Sequence, residues 1–231
     1  MDHFRHIYTN QAADYHQLIS PEDFAGNLLP ALEQVTTLRG KRVLDLGTGT
    51  GRLPLLLSDQ TTQVVGLDLH GAMLLENQRQ RSRVGGQWNL AQGDMRLLPF
   101  SSGWADVVTA GWSIAHLRNW YAANWQSQIG RVLQEMQRLV ATGGALIIIE
   151  TLTTGSLTPA PPTVALAEYY AWLESEWGFA RQTIRTDYQF ASVEEAVNHT
   201  EFFFGSALAN TIRTHGWSQL PEWTGVWGKQ T

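Results

Sequence analysis

Short runs of β-branched and aliphatic residues alternate with longer stretches of helical periodicity through residues 41–150. The apolar runs predict strands at residues 41–46, 63–68, 87–92, 106–109 and 145–150. The stretches between them predict helices at residues 53–58, 71–81 and 125–140. This alternation is typical of βαβ units, in which parallel strands share one sheet and helices cover both of its faces. The chain is therefore expected to adopt an α/β fold with a doubly wound sheet.

The regular alternation ends at a connector, residues 153–162, that contains Pro159, Pro161 and Pro162. Beyond the connector the pattern predicts helices at residues 163–177 and 206–215, a helix that starts at Ser192, and strands at residues 184–190 and 222–229. Ser192 and Glu195 have the spacing of a capping box, which supports a helix start at that point.

The composition fits one domain with a sizeable core, because 43% of the 231 residues are hydrophobic. We divide it into an N-terminal helical lid at residues 1–40, a ligand-binding core at 41–151 and a C-terminal part at 152–231. The net charge of -5 disfavours a nucleic-acid partner. The chain has no cysteine, so disulfides and thiolate metal sites are excluded, and we predict no metal site. The absence of a signal-like or membrane-spanning apolar run favours a cytoplasmic protein.

A glycine-rich loop, Gly47-Thr48-Gly49-Thr50-Gly51, follows the first predicted strand and precedes the first predicted helix. Glycine lets the backbone approach a ligand, and the helix N-terminus presents unpaired N–H groups there. Dinucleotide-binding loops have the spacing G-x-G-x-x-G, but Arg52 occupies the position of their third glycine. The loop therefore disfavours a nicotinamide cofactor, although a glycine loop alone is also compatible with a simple tight turn.

Two carboxylates follow the next strands of the predicted sheet. Asp68 ends the second strand beside the glycine loop, where its carboxylate can accept hydrogen bonds from both hydroxyls of a ribose. The alternative for Asp68 is a helix N-cap. Asp94 follows the third strand and is suited to accept from an adenine amino group, with Met95 beside it to cover the ring. The alternative for Asp94 is an ordinary turn residue.

Taken together, these motifs resemble the class I methyltransferases that use S-adenosylmethionine (SAM), especially the small-molecule group of ubiquinone and menaquinone biosynthesis. The resemblance covers residues 45–150 and includes 106–110 and 131–150 as the motifs of the fourth and fifth strands. It implies a Rossmann-like sheet of seven strands, of which six are parallel and the last is antiparallel, with a helical insertion before the last strand. By this resemblance the SAM-binding residues are Gly47, Thr48, Gly49, Gly51, Asp68, Leu69, Asp94, Met95, Ala110 and Trp112.

Two departures from related sequences refine this interpretation. The family commonly has Pro before the paired glycines that precede the fifth strand, whereas this chain has Ala141-Thr142-Gly143-Gly144, and we expect no effect on the fold. Relatives that methylate nucleic-acid bases carry an Asn- or Asp-Pro-Pro-aromatic motif after the fourth strand. This chain has Ala110-Gly111-Trp112-Ser113 instead, which argues against base methylation.

The acceptor side of the expected reaction is less constrained by the sequence. SAM already carries an activated methyl group, so the protein must mainly position the acceptor and exclude water. His116 is the best-placed candidate to take a proton from the acceptor, and a structural histidine is the alternative. Tyr8 and Tyr15 lie seven residues apart on one predicted helix and are candidates for a lid.

We therefore predict methyl transfer from SAM to a small molecule. A non-catalytic SAM- or nucleoside-binding module is the nearest alternative, and a nicotinamide oxidoreductase is a second one.

Overall fold

The structure is a computed structural model that describes residues 2–231. Its helices are α1 His3–Asn10, α2 Ala12–Ile19, α3 Leu28–Val35, α4 Arg52–Leu57, α5 Gly71–Val84, α6 Ala115–Trp120, α7 Trp125–Leu139, α8 Val164–Ser175, α9 Val193–Phe204 and α10 Ser206–His215. Its strands are β1 Arg42–Leu46, β2 Gln63–Asp68, β3 Asn89–Gln92, β4 Ala105–Gly111, β5 Val140–Thr154, β6 Ala180–Arg185, β7 Tyr188–Gln189, β8 Gln219–Leu220 and β9 Glu222–Gln230. Ser192 caps α9 as predicted, because its hydroxyl accepts from the Glu195 N–H at 3.1 Å. The Glu195 carboxylate accepts from the Ala191 N–H rather than from that of Ser192, so the reciprocal bond of a capping box is not formed.

Seven strands form one sheet in the order β3-β2-β1-β4-β5-β9-β6. The pairs from β3 to β5 are all parallel. β9 is antiparallel to both β5 and β6, so six strands point one way and the last points the other. This arrangement confirms the α/β fold class and the antiparallel last strand. The helices α9 and α10 form the insertion between β6 and β9.

Helices cover both faces of the sheet because the central strands are apolar on both sides. In β5, Ile147 and Ile149 pack with α3 and α4, whereas Leu146 and Ile148 pack with α7 on the opposite face. All four side chains are fully buried. Alternate residues of a strand point to opposite faces, so a run without polar interruption belongs in the middle of a covered sheet.

The predicted strand at 184–190 is wrong as a single element. β6 ends at Arg185, and Tyr188–Gln189 form a separate short pairing with β8. The Asp187 carboxylate lies at the break, where it accepts from the Arg185 guanidinium at 2.6 Å and from the Glu222 N–H at 3.0 Å. The alternating pattern continues past the break because Tyr188 packs into a separate cluster with α9 and α10.

The N-terminal segment also differs from the prediction, because Tyr8 and Tyr15 lie on two helices rather than one. The chain bends at Gln11, whose φ of -129° and ψ of 35° are not helical. The α1 helix buries Ile7 and Tyr8 against Met73, and α2 buries Leu18 among the residues of α9 and α10. Both helices therefore pack over the carboxyl edge of the sheet.

Gly66, in β2, makes room for the glycine-rich loop above it. A Cβ atom on this residue would lie 2.6 Å from Oγ1 and 2.8 Å from Cγ2 of Thr48. Gly66→Ala should lower the free energy of unfolding by about 1–3 kcal/mol, because extra atoms in a packed interior force neighbouring groups to move. Gly71→Ala is the matched control, since a Cβ atom on this residue would lie 3.6 Å from its nearest neighbour, the Gln92 side chain, which is an ordinary van der Waals distance. Chemical denaturation of both variants measures the difference, and equal stability would contradict the packing described here.

Candidate active site

A cavity of about 760 Å³ lies at the carboxyl ends of the parallel strands. Its volume falls within the range of small-molecule sites, roughly 300–1,000 Å³. The sheet side of its lining includes residues that follow β1, β2, β3 and β4 and the last residues of β5. The opposite side includes Tyr8 from α1, Tyr15 from α2 and Phe203 from α9. The cavity is thus formed between the sheet, the N-terminal helices and the C-terminal insertion.

The glycine-rich loop is folded tightly against the end of β2. The N–H groups of Gly47 and Thr48 both donate to the Leu67 carbonyl, at 2.8 and 3.0 Å. Gly47 has a φ of 68°, and a Cβ on it would lie 2.3 Å from that of Ser113. Gly51 has a φ of 100° and is the N-cap residue directly before α4. Glycine is required at both positions because other residues are strained at such positive φ values.

Asn77 holds the loop from the side of α5, and sequence reasoning missed it. Its side chain is fully buried, donates to the Gly49 carbonyl at 3.1 Å and accepts from the Trp88 indole at 2.8 Å. The available signal was its spacing from Met73, which places both residues on the buried face of α5.

Asp68 points its carboxylate into the cavity lining and is 7% exposed. One oxygen accepts from the Gly49 N–H at 2.9 Å and the other from the His70 N–H at 2.8 Å. The residue that caps α5 is His70, so the helix-cap alternative for Asp68 is not the arrangement observed. The His70 ring lies beside the same carboxylate, with Nδ1 3.5 Å from Oδ1. A carboxylate has about four acceptor positions, so Asp68 keeps acceptor capacity beyond these contacts.

Asp94 is held by a neighbouring guanidinium rather than by a turn alone. Arg96 donates from Nη2 at 2.6 Å and from Nε at 3.0 Å to the two carboxylate oxygens. These bonds lower the pKa of Asp94 and keep it ionised. Arg96 also donates to the Gln128 side chain at 2.6 Å, which ties this edge of the cavity to α7. Neither Arg96 nor Gln128 was identified from the sequence.

Most of the predicted cofactor-binding residues meet at this cavity. Those in its lining are Gly47, Thr48, Gly49, Asp68, Leu69, Asp94, Met95 and Trp112. Gly51 and Ala110 lie outside the lining. Gly51 packs against Asn77, and Ala110 is fully buried in the sheet because strand alternation directs it to the covered face.

Trp112 adopts an unusual backbone conformation at the end of β4. Its φ is 49°, which is rare for a large side chain. The indole lies under the Arg52 guanidinium, whose central carbon is 3.9 Å from the ring centroid. The Trp112 N–H still donates to the Ile149 carbonyl at 2.7 Å, so the turn remains bound to β5.

His116 and Tyr8 form a polar pair in an otherwise aromatic part of the cavity. The Tyr8 oxygen is 2.8 Å from His116 Nε2, and the Trp120 ring stacks on the imidazole at a centroid distance of 5.0 Å. Burial lowers the pKa of His116 to about 4 and raises that of Tyr8 well above its ordinary value. At neutral pH the imidazole is therefore uncharged and the phenol keeps its proton, and the tautomer of the imidazole sets which of the two groups donates in this bond.

Glu150 is a second titratable group in the cavity, and it was not among the predicted site residues. It is 2% exposed and accepts from the Ala115 N–H at 2.9 Å. Burial raises its pKa to about 8, so most of the carboxyl is protonated at neutral pH. Its signal in the sequence was the position of a carboxylate directly after the apolar run that ends at Ile149.

Residues 44–148 match a family model described as a methyltransferase domain. The malonyl-[acyl-carrier protein] O-methyltransferase of Legionella pneumophila is 31% identical over a region that covers 61% of this chain and 46% of that protein. The demethylmenaquinone methyltransferase of Thermus thermophilus is 33% identical, over 56% of this chain and 53% of that protein. The chain thus spans about half the length of these curated relatives.

The fold comparison agrees with the sequence comparisons. Phosphoethanolamine N-methyltransferase 2 of Haemonchus contortus superposes with a TM-score of 0.64 at 15% identity, over 98% of this chain and 59% of that one. At that identity the likeness shows the fold alone. Residues 44–148 therefore form a methyltransferase domain with the class I fold. The resemblance predicted from the motifs is confirmed, and so is SAM as the cofactor of the domain.

The cavity of the methyltransferase domain has polar groups that fit this cofactor. Asp68 has free acceptor positions for hydroxyl groups, and the bent glycine loop leaves backbone exposed beside it. Three buried polar atoms in the lining lack a partner within residues 2–231: Thr48 Oγ1, Glu22 Oε1 and Arg52 Nη2. Buried polar groups are normally hydrogen-bonded, so such atoms are typical of a site that a ligand completes.

The described part of the chain has no helix that is both long and apolar enough to cross a membrane. Within the same residues no three His, Asp or Glu side chains are grouped so as to hold a metal ion.

Proposed function

We propose that this chain transfers the methyl group of SAM to a small-molecule acceptor. The observation that supports the proposal most strongly is the position of two polar regions in one cavity. The glycine loop and Asp68 lie in one region, and His116, Tyr8 and Glu150 lie in the other. A binding module for a nucleoside needs only the first region. Two relatives support methyl transfer as well, since their names describe methylation of malonyl-[acyl-carrier protein] and of demethylmenaquinone.

In the proposed complex, different predicted residues bind different parts of SAM. Gly47, Thr48 and Gly49 hold the methionine part, and the Asp68 carboxylate accepts from the ribose hydroxyls. Leu69, Asp94, Met95 and Trp112 hold the remaining parts of the ligand, with Asp94 and Met95 at the adenine. Gly51 and Ala110 act indirectly in this proposal, because they shape the loop and the sheet rather than line the cavity.

When bound, SAM supplies a sulfonium that activates the methyl group. The work left to the protein is to hold the acceptor in line and to keep water out. Tyr8 and Tyr15 suit the second task, since their rings meet edge to face at 5.4 Å and the Tyr15 ring lies next to Gly49 of the glycine loop. We assign residues 1–40 the role of a lid, because both tyrosines lie on its short helices and face the cavity.

His116 is proposed to take the proton that an alcohol, phenol or carbon acid must lose. Its uncharged imidazole lies in the cavity lining. In the tautomer that donates from Nε2 to the Tyr8 oxygen, this bond orients the ring and Nδ1 is the nitrogen that takes the proton. A weak base suffices here because the sulfonium provides the driving force for methyl transfer. The acidic net charge disfavours a nucleic-acid acceptor. We place the reaction in the cytoplasm, a proposal that is based on the cysteine-free sequence.

Calorimetry with SAM, S-adenosylhomocysteine and NAD tests the cofactor side. SAM and S-adenosylhomocysteine should bind and raise the melting temperature, whereas NAD should do neither. Asp68→Asn should weaken binding by about 1.5–3 kcal/mol, the scale for a hydrogen bond to a charged group, because one acceptor becomes a donor. Asp106→Asn is a suitable control, since Asp106 pairs with Arg42 outside the cavity lining.

Binding of NAD without binding of SAM would contradict the proposed function. Unchanged affinity in a folded Asp68→Asn variant would contradict only the proposed binding of the ribose by Asp68, and not the proposed function as a whole.

The pH profile of methyl transfer distinguishes His116 from Glu150 as the proton acceptor. A histidine whose pKa is about 4 is deprotonated above that value, so kcat should be constant from pH 6 to 9 and fall only towards pH 4. His116→Gln should lower kcat about 10²- to 10⁴-fold, the usual contribution of a general base. A rate that rises through pH 8 and loses this rise in Glu150→Gln would assign the proton to Glu150 instead, because its pKa is about 8.

A further inference from the structure

An ion pair between Glu22 and Arg52 lies in the lining of the cavity, and neither residue has been assigned a role in binding above. Arg52 Nη1 is 2.6 Å from Glu22 Oε2, and the two side chains are 16% and 3% exposed. The second oxygen of Glu22 and the second terminal nitrogen of Arg52 are buried and have no partner among residues 2–231. Tyr188 also lies next to Glu22, but among residues 2–231 no hydrogen bond is formed to either open atom, so the pair retains one acceptor and one donor.

Such an arrangement is costly unless a ligand completes it. Leaving a buried charged group short of a hydrogen bond destabilises a protein more than leaving a neutral one, and a buried ion pair requires further bonds to offset desolvation. The Arg52 guanidinium is also fixed in place, because it stacks on Trp112. A side chain held rigidly with an open donor is suited to bind rather than only to connect two segments.

The position of the pair limits what it can bind. Arg52 is the first residue of α4 and directly follows Gly51 of the glycine-rich loop. Glu22 lies between α2 and α3, and its backbone bridges to Tyr188. The pair therefore lies at the α4 end of the glycine-rich loop, whose residues Gly47 to Gly49 the proposed function assigns to the methionine end of SAM.

The charges of the pair indicate one chemical class of ligand. A lone anion would satisfy Arg52 and meet repulsion from Glu22, and a lone cation would do the reverse. A group that carries a carboxylate next to an ammonium satisfies both at once and adds no net charge. Nearby Glu222 does not change this balance, since burial and Glu22 raise its pKa well above the ordinary value and favour its uncharged form.

We propose that Glu22 and Arg52 bind an amino-carboxylate group, with the carboxylate accepting from Arg52 Nη2 and the ammonium donating to Glu22 Oε1. The inference is based on the proposed function in so far as the methionine end of SAM is the expected source of that group. An acceptor molecule built on an amino acid is the other source.

Paired ligands test the proposal directly. S-adenosylhomocysteine carries the amino-carboxylate, and 5′-methylthioadenosine has the same nucleoside without it. In Glu22→Gln and Arg52→Lys, affinity for S-adenosylhomocysteine should fall about tenfold to hundredfold, the range for one hydrogen bond to a charged group. Affinity for 5′-methylthioadenosine should stay within about threefold of the wild type, because its contacts do not reach the pair. Lysine keeps the positive charge of Arg52 but lacks the second terminal nitrogen.

Glu135→Gln is the matched control, because Glu135 is also a partly buried carboxylate in an ion pair, with Arg138, and lies outside the cavity lining. It should leave both affinities unchanged. Equal losses for the two ligands in Glu22→Gln would overturn the proposal and reduce the pair to a support of the loop.

If both variants keep wild-type affinity for S-adenosylhomocysteine, the second source of the group is tested next. A mixture of free amino acids is added to the S-adenosylhomocysteine complex, and binding is measured. Binding that is present in the wild type and lost in Glu22→Gln supports an amino-acid acceptor, and no binding overturns the proposal. A wild-type protein that binds neither nucleoside would contradict the proposed function instead. The amino-acid titration of the ligand-free protein would then decide this inference alone.

Discussion

The bonds between the glycine-rich loop and the end of β2 are the constraint on which the rest of the site depends. The Leu67 carbonyl accepts two loop N–H groups, and the Asp68 carboxylate accepts a third, from Gly49. They bend the chain so sharply that side chains are excluded at several loop positions. The same bend exposes backbone to the cavity and starts α4, so that Arg52 stacks on Trp112. Loop geometry, ligand access and the placement of charge therefore share one cause.

The sheet and the cofactor side of the site were predictable because they depend on local patterns. Apolar runs of strand length between amphipathic stretches predict a parallel sheet, and the residues after each strand must then meet at one edge. The loop glycines and Asp68 are among the residues that follow a strand and meet at this edge. The break at Asp187 was not predictable, because the alternating pattern continues across it while the partner element changes. The bend at Gln11 likewise carries no proline or glycine to mark it.

Several polar residues of the cavity were predicted poorly because they come together from distant parts of the chain. Glu22 meets Arg52 only after α2 packs on the insertion, and Arg96 reaches Gln128 across 32 positions. Glu150 was visible as a carboxylate after an apolar run, yet its raised pKa depends on burial by other segments. His116 was found from its position after the fourth strand. Its low pKa and its bond to Tyr8 required the folded N-terminal helix.

Transfer of labelled methyl groups tests the central claim most directly. The protein is incubated with SAM that carries an isotopic label in its methyl group, together with a cellular small-molecule extract, and the products are analysed by mass spectrometry. The account predicts a labelled small molecule and an equal amount of S-adenosylhomocysteine, neither of which forms with Asp68→Asn at limiting SAM. Tight SAM binding without any labelled product, across extracts that support a known methyltransferase in parallel, would contradict it and favour a binding module.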